Sequence, residues 1–163
     1  MGSVVMNKKG IALLAALSSG AVLAALLLWP KPLLSGPGTL SPKPGCDLHR
    51  GPCRASAAGS VAITLQIAPL SIPVLDELQL EVQLEGIEAR SVEVQFTGID
   101  IDMGQLRYPL ELAGERVFRG PAWLSVCSQR RMTWQALVVV DGGRYKAPFR
   151  FETEYRRGFS ILE

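Results

Sequence analysis

Cys46-Asp-Leu-His49-Arg-Gly-Pro-Cys53 brings two of the chain's three cysteines and its one histidine into a single short segment. Two chemistries suit this spacing. In an oxidising compartment the cysteines close a small loop as a disulfide, with Arg50-Gly51-Pro52 supplying the turn. If they stay reduced, thiolates and imidazole are soft donors of the kind that hold Cu(I), or the pair does thiol-redox work. The Cys-x-x-Cys spacing of structural zinc sites and thioredoxin-like centres is missing. Cys127 leaves an odd count. It reads as a buried thiol acting as a small hydrophobe, as a disulfide partner for Cys46 or Cys53, or as a thiol made reactive by Arg130 and Arg131. Met103, in Asp100-Ile-Asp-Met-Gly104, presents a thioether at a turn. It serves either as a Cu(I) ligand or as a lid over a core edge, since Ile99 and Ile101 share its parity. The candidate Cu(I) donors are therefore Cys46, His49, Cys53, Met103 and Cys127, with Met132 beside them. Asp100 and Asp102 lie on the opposite parity, without the oxygen-ligand set that Ca2+ needs.

Catalysis finds little to work with. The chain has no Ser-x-x-Lys, Gly-x-Ser-x-Gly, His-Glu-x-x-His or phosphate-loop motif. With His49 alone, outside the strand-rich region, no His-based triad can form within it. The reading is of a protein that binds rather than one that turns over a substrate.

The elements that must position these residues are strands. Leu78, Leu80, Val82 and Leu84 alternate with Glu77, Gln79, Glu81, Gln83 and Glu85, and Val92, Val94 and Phe96 alternate with Glu93, Gln95 and Thr97. Val61, Ile63, Leu65 and Ile67 form a third row, Trp134, Ala136, Val138 and Val140 a fourth, and Tyr145, Ala147, Phe149 and Phe151 a fifth. Period-two alternation means antiparallel strands with one wet face. Asp141-Gly142-Gly143 is a hairpin turn. Strands are expected over 60–68, 77–85, 90–97, 107–112, 116–119, 122–127, 132–140 and 144–152. Seven to eight short strands with frequent turns predict an all-β fold, an immunoglobulin-like antiparallel β-sandwich over residues 59–155. Trp123 and Trp134 read as core or interface aromatics.

Ahead of the sandwich, Lys8-Lys9 precedes a mostly apolar run, residues 10–29, long enough to cross a bilayer as one helix. Trp29 and Pro30 close it at an interface, and Leu26-Leu-Leu-Trp-Pro30 is a poor cleavage site, so the run reads as an uncleaved anchor. The lysines favour a cytoplasmic N-terminus, residues 1–9, which puts the rest in the periplasm of a bacterial inner membrane, a single-pass arrangement. Residues 30–58, rich in Pro and Gly, read as a tether too poor in apolar side chains to build a core. Residues 156–163 are a tail. The formal charge of +2 and the absence of a polybasic cluster argue against nucleic acid as a partner.

Val94-Gln-Phe-Thr-Gly-Ile-Asp-Ile-Asp-Met-Gly104, Arg107-Tyr-Pro-Leu110, Phe118-Arg-Gly120, Leu124-Ser-Val-Cys127 and Met132-Thr-Trp134 resemble the FixH-like and YtkA-like families. These place a Met-Gly turn after a central strand, then an aromatic-x-Gly and a strand ending near a Trp. The FixH type also begins with one membrane helix followed by a small sandwich. The resemblance implies an accessory role at a membrane respiratory complex or with its assembly factors, in copper supply to haem–copper oxidases. This chain departs from a metal-rich pattern in having one His and few Met. A metal-free structural subunit and a thiol-redox factor are the competing readings.

Overall fold

The computed structural model describes residues 38–57, 60–125 and 129–154, all within the second of two compact units, Gly36–Glu163. The anchor at 10–29, the first part of the expected tether, Cys127 and the tail at 156–163 lie outside the described residues.

Nine strands follow one another: β1 Ser41–Pro42, β2 Cys53–Ser56, β3 Ala62–Ala68, β4 Leu78–Glu85, β5 Val92–Gly98, β6 Gln105–Gly114, β7 Val117–Ala122, β8 Arg131–Val140 and β9 Tyr145–Glu154. They hydrogen-bond in the order β1-β2-β3-β4-β7-β6-β5-β8-β9, and every neighbouring pair is antiparallel. The four strands β5 to β8 lie in the order β8-β5-β6-β7, a Greek key. Strand β6 joins two half-sheets: its first part pairs with β5 and its second with β7, with a register shift between Leu112 and Gly114. The two edges also meet. Thr39 bridges Lys146 in parallel; the Leu40 amide donates to the Lys146 carbonyl at 2.7 Å, and the Lys146 amide to that of Gly38 at 2.9 Å. The result is barrel-like, and it leaves little strand edge unpaired.

The alternation read from the sequence is the alternation of burial. On β8 every second residue from Met132 to Val140 is buried, and on β9 Ala147, Phe149, Phe151 and Thr153 are. Leu80, Val94, Trp134 and Phe149 all point inward. The core draws on every strand but the two-residue β1, whose neighbour Leu40 is itself wholly buried.

Two expectations need correction. Residues 39–56, assigned to the tether, belong to the domain. They supply β1 and β2 and bury Leu40, Leu48, Cys53 and Ala55. The Pro/Gly-rich composition is real, but cross-strand pairing with Leu65, Thr64, Ile63 and Ala62 orders the segment regardless. The strand expected over 122–127 is not one at 123–125. Leu124 is buried there, but its carbonyl accepts from the Leu75 amide at 3.1 Å instead of joining a ladder.

The β8–β9 turn carries a pH dependence. Asp141 Oδ1 accepts from the amides of Arg90 (2.8 Å) and Ser91 (3.0 Å). These bonds, the Arg90 amide first, hold its carboxyl below the usual carboxylate range. A carboxyl with a depressed folded pKa adds stability above its unfolded pKa and loses it as pH falls through the folded value. Asp141→Asn should therefore cost about 1 kcal/mol or less near neutrality, the site being solvent-screened. The gap from wild type should narrow as pH drops below about 4. Thermal melts of both proteins across that range measure it, and a gap independent of pH would refute the assignment.

Candidate functional site

Following each strand to its ends sorts the loops into two groups. Thr39 lies at the end that also carries residues 57, 60–61, 86–91, 115–116 and 141–144. The other, distal end carries 43–52, 69–77, 99–104, 123–125, 129–130 and the last residues of β9. Every candidate donor among the described residues sits at or beside the distal end.

Cys46 and Cys53 are joined as a disulfide, with Cα atoms 5.6 Å apart, across the β1–β2 loop. Cys53 is buried at the start of β2, and Cys46 is partly buried against the core. Within the loop Leu48 is fully buried, and Asp47 Oδ1 accepts from the His49 amide at 3.0 Å. The imidazole then spans two other elements. Its Nδ1 lies 2.8 Å from the Leu70 carbonyl oxygen in the β3–β4 loop, and its Nε2 lies 2.7 Å from the Glu152 carbonyl oxygen on β9. Carbonyls only accept, so both bonds form when both ring nitrogens carry hydrogen. The ring also meets Phe151 edge-on, 6.5 Å between centroids. His49 is a clasp holding the disulfide loop to its neighbours.

Met103 lies at the same end, on the β5–β6 loop, with β8 and β9 between it and β1 across the meeting of the two edges. It packs partly buried against the core. Its loop is held to β8 by Asp100 Oδ2, which accepts from the Thr133 amide at 2.7 Å, and closed by Asp102 Oδ1, which accepts from the Gly104 amide at 2.9 Å. Met132 is buried on β8 beneath Gly98. A methyl group at Gly98 would collide with Met132 Cε and the Ile101 carbonyl, so glycine there permits the close packing.

As folded, these residues do not fit a Cu(I) centre. Two thiolates are replaced by a disulfide, the imidazole nitrogens face carbonyls, and both thioethers are engaged in packing. Among the described residues no group of three or more His, Cys, Asp or Glu gathers in a way that could hold a metal ion. The disulfide does line a cleft of about 330 Å³, with Lys43, Gln135 and Arg150 among its walls.

Sequence reading missed a second feature of the distal end. Of the five large hydrophobic side chains that are exposed among the described residues, four are here: Leu70, Leu75, Ile99 and Trp123. Only Leu112 lies toward the other end. Trp123 is positioned from β6: Tyr108 Oη donates to its carbonyl at 2.6 Å, and the two rings lie 6.3 Å apart. Trp123 was legible only as a core or interface aromatic, and it is exposed. The rest needed the topology, because Leu70, Leu75 and Ile99 come from loops separated in sequence.

No family model, curated protein or solved structure matches this chain.

Proposed function

We propose that the chain is a non-enzymatic, membrane-anchored accessory factor whose barrel-like domain, immunoglobulin-like in its Greek key, is a periplasmic protein-binding module that holds no metal of its own. The single observation that carries this reading is the fate of the soft donors. Cys46, Cys53 and His49, the chain's densest donor cluster, are spent on closing and clasping one loop. A disulfide also suits an extracytoplasmic compartment. The partner class, a respiratory complex or its assembly factors with copper-dependent oxidase assembly as the process, is supported by the resemblance of residues 60–152 and the anchor to FixH-like proteins.

Affinity capture of the detergent-solubilised full-length protein, with metal analysis of the eluate, tests this. The expected result is co-purification of oxidase subunits or their assembly factors, with no copper left on this protein once it is separated from them. Stoichiometric copper on the protein, or an eluate without any respiratory component, overturns it. An anaerobic Cu(I) titration of the reduced, full-length protein against a competing chelator gives a sharper metal test. Reduction frees the Cys46 and Cys53 thiolates, which can hold Cu(I) by themselves, while His49 and Met103 stay engaged, so any copper retained against the chelator should be indifferent to Met103→Leu. Binding of one Cu(I) that Met103→Leu weakens would restore the copper role.

Thiol-redox work is a second reading, favoured by the cleft that opens on the disulfide beside Lys43 and Arg150. Trapping of free thiols in growing cells tests it: a standing fraction of reduced Cys46 and Cys53 supports exchange, and full oxidation removes it.

A further inference from the structure

We infer that the distal loops form the docking face of the domain, and that it takes a protein segment whose apolar side chains are flanked by lysine or arginine. This rests on the binding-module reading and names the surface and partner chemistry for it.

Leu75 is 60% exposed, and Leu70, Ile99 and Trp123 are each more than 40% exposed. Placing four such side chains at one end contributes nothing to the domain's own burial. Nor is the β3–β4 loop relaxed around them. Leu75 has φ of 70° and Ile72 of 44°, left-handed values that side chains with a Cβ adopt at a cost. Ile72 is buried, so packing offsets its strain, but Leu75 projects into solvent. Its amide donates to the Leu124 carbonyl at 3.1 Å, which fixes it beside Trp123. A leucine held in a costly conformation in order to face water is a binding feature rather than a stability feature.

Charge selects the occupant. Leu75 is followed by Asp76 and Glu77, and Ile99 by Asp100 and Asp102; all four carboxylates are on exposed residues. None of them makes an ion pair among the described residues, where the pairs join Arg50–Asp47, Arg54–Glu85, Arg116–Glu88, Arg119–Glu81 and Arg131 with Glu152 and Glu154. Asp100 and Asp102 accept backbone amides, and Glu77 accepts from Gln79 Nε2. The cations in the loops of this end, Lys43, Arg50 and Arg130, are on the other two; Arg131, at the start of β8, is paired with Glu152 and Glu154, and Arg107 lies two residues into β6. An anionic lipid surface would be repelled by the acidic loops, whereas a basic-flanked apolar segment is complementary to them.

Photo-crosslinking in intact membranes tests the assignment. A benzophenone amino acid is placed singly at Leu75, Trp123 and Leu112 of the full-length protein, and adducts are mapped by mass spectrometry. Adducts are expected from positions 75 and 123, to a protein segment with apolar residues next to lysine or arginine, and not from 112. Asp76→Lys with Glu77→Lys, which removes no backbone hydrogen bond, should reduce the adduct at position 123 to background without changing the melting temperature. Adducts from 112 alone, adducts only to lipid or to a second copy of this chain, or indifference to the charge reversal would each overturn the docking face. Capture of a respiratory component with crosslinks confined to 112 would sink the docking face and leave the proposed function standing. Charge-dependent crosslinks from 75 and 123 to an unrelated protein would do the reverse.

Discussion

Replacing Trp134 with alanine should cost about 3–5 kcal/mol and leave little of a small domain's stability. Trp134 is 1% exposed on β8, which lies between β5 and β9. Its removal opens a large cavity in the core. It also strips a partner from Thr153, the one buried polar residue among those described, whose Oγ1 accepts from the indole Nε1 at 3.0 Å. Trp134→Phe separates the two effects. It keeps most of the volume but leaves the Thr153 hydroxyl unpaired, so about 1–3 kcal/mol is expected. Thr153→Val in the Phe background should recover part of that. Gln79→Ala, at an exposed position on β4, should stay within about 0.5 kcal/mol. Urea denaturation curves for the four proteins decide the matter. A Trp134→Ala midpoint as small in shift as that of Gln79→Ala would mean that the inward face has been misassigned.

The rows containing Leu80, Val94, Trp134 and Phe149 were legible because each is a local, period-two pattern, and the strands that carry them fall within a few residues of the expected spans. What was not legible depends on residues far apart. Leu40 and Leu48 sit among prolines and glycines with no periodicity. Their burial comes from β2 pairing with β3 and from the bonds that link residues 38–40 to Lys146. Strand β6 was expected at 107–112 and runs from Gln105 to Gly114 because it serves two half-sheets in turn. At Leu124 the apolar signal was wrongly read as a strand, and the residue is buried without joining a ladder. A buried residue and a laddered one look alike over three positions.

The candidate site divides in the same way. The Cys46–Cys53 loop could be anticipated, since a turn between two nearby cysteines is a local signal. The role of His49 could not, because its carbonyl partners lie 21 and 103 residues away. A lone histidine between cysteines therefore invites a metal reading that the long-range contacts do not favour. The apolar distal end is likewise a product of topology. Four loops meet there because the Greek key alternates strand direction, and only then do Leu70, Leu75, Ile99 and Trp123 become neighbours on one end.

Removing the disulfide should destabilise the domain by about 2–3 kcal/mol, the chain-entropy value for so short a closed loop. The argument is specific to what the loop holds. Cys46 and Cys53 bracket Leu48, which is fully buried, and His49, which joins the β3–β4 loop and β9. Opening the loop raises the entropy of the unfolded chain, and in the folded state it leaves the clasp to be held by hydrogen bonds alone. The variant to use is Cys46→Ala with Cys53→Ala, because a serine at the buried position 53 would add an unpaired hydroxyl to the loss. Reduction of the wild type should lower the urea midpoint by a similar amount, and reduction of the double variant should change nothing. If the loop is a clasp, hydrogen exchange of the β1–β2 and β3–β4 loops should quicken together in the double variant, with the β8–β9 hairpin near Val138 unaffected. A further His49→Ala change should then add little to the exchange in the 43–52 loop, since one cooperative unit has already opened. Additive effects would mean that the disulfide and the imidazole stabilise the distal end independently. An unchanged midpoint in the double variant would mean that the pair is not structural, and would move the weight of evidence to thiol exchange at the cleft beside Lys43 and Arg150.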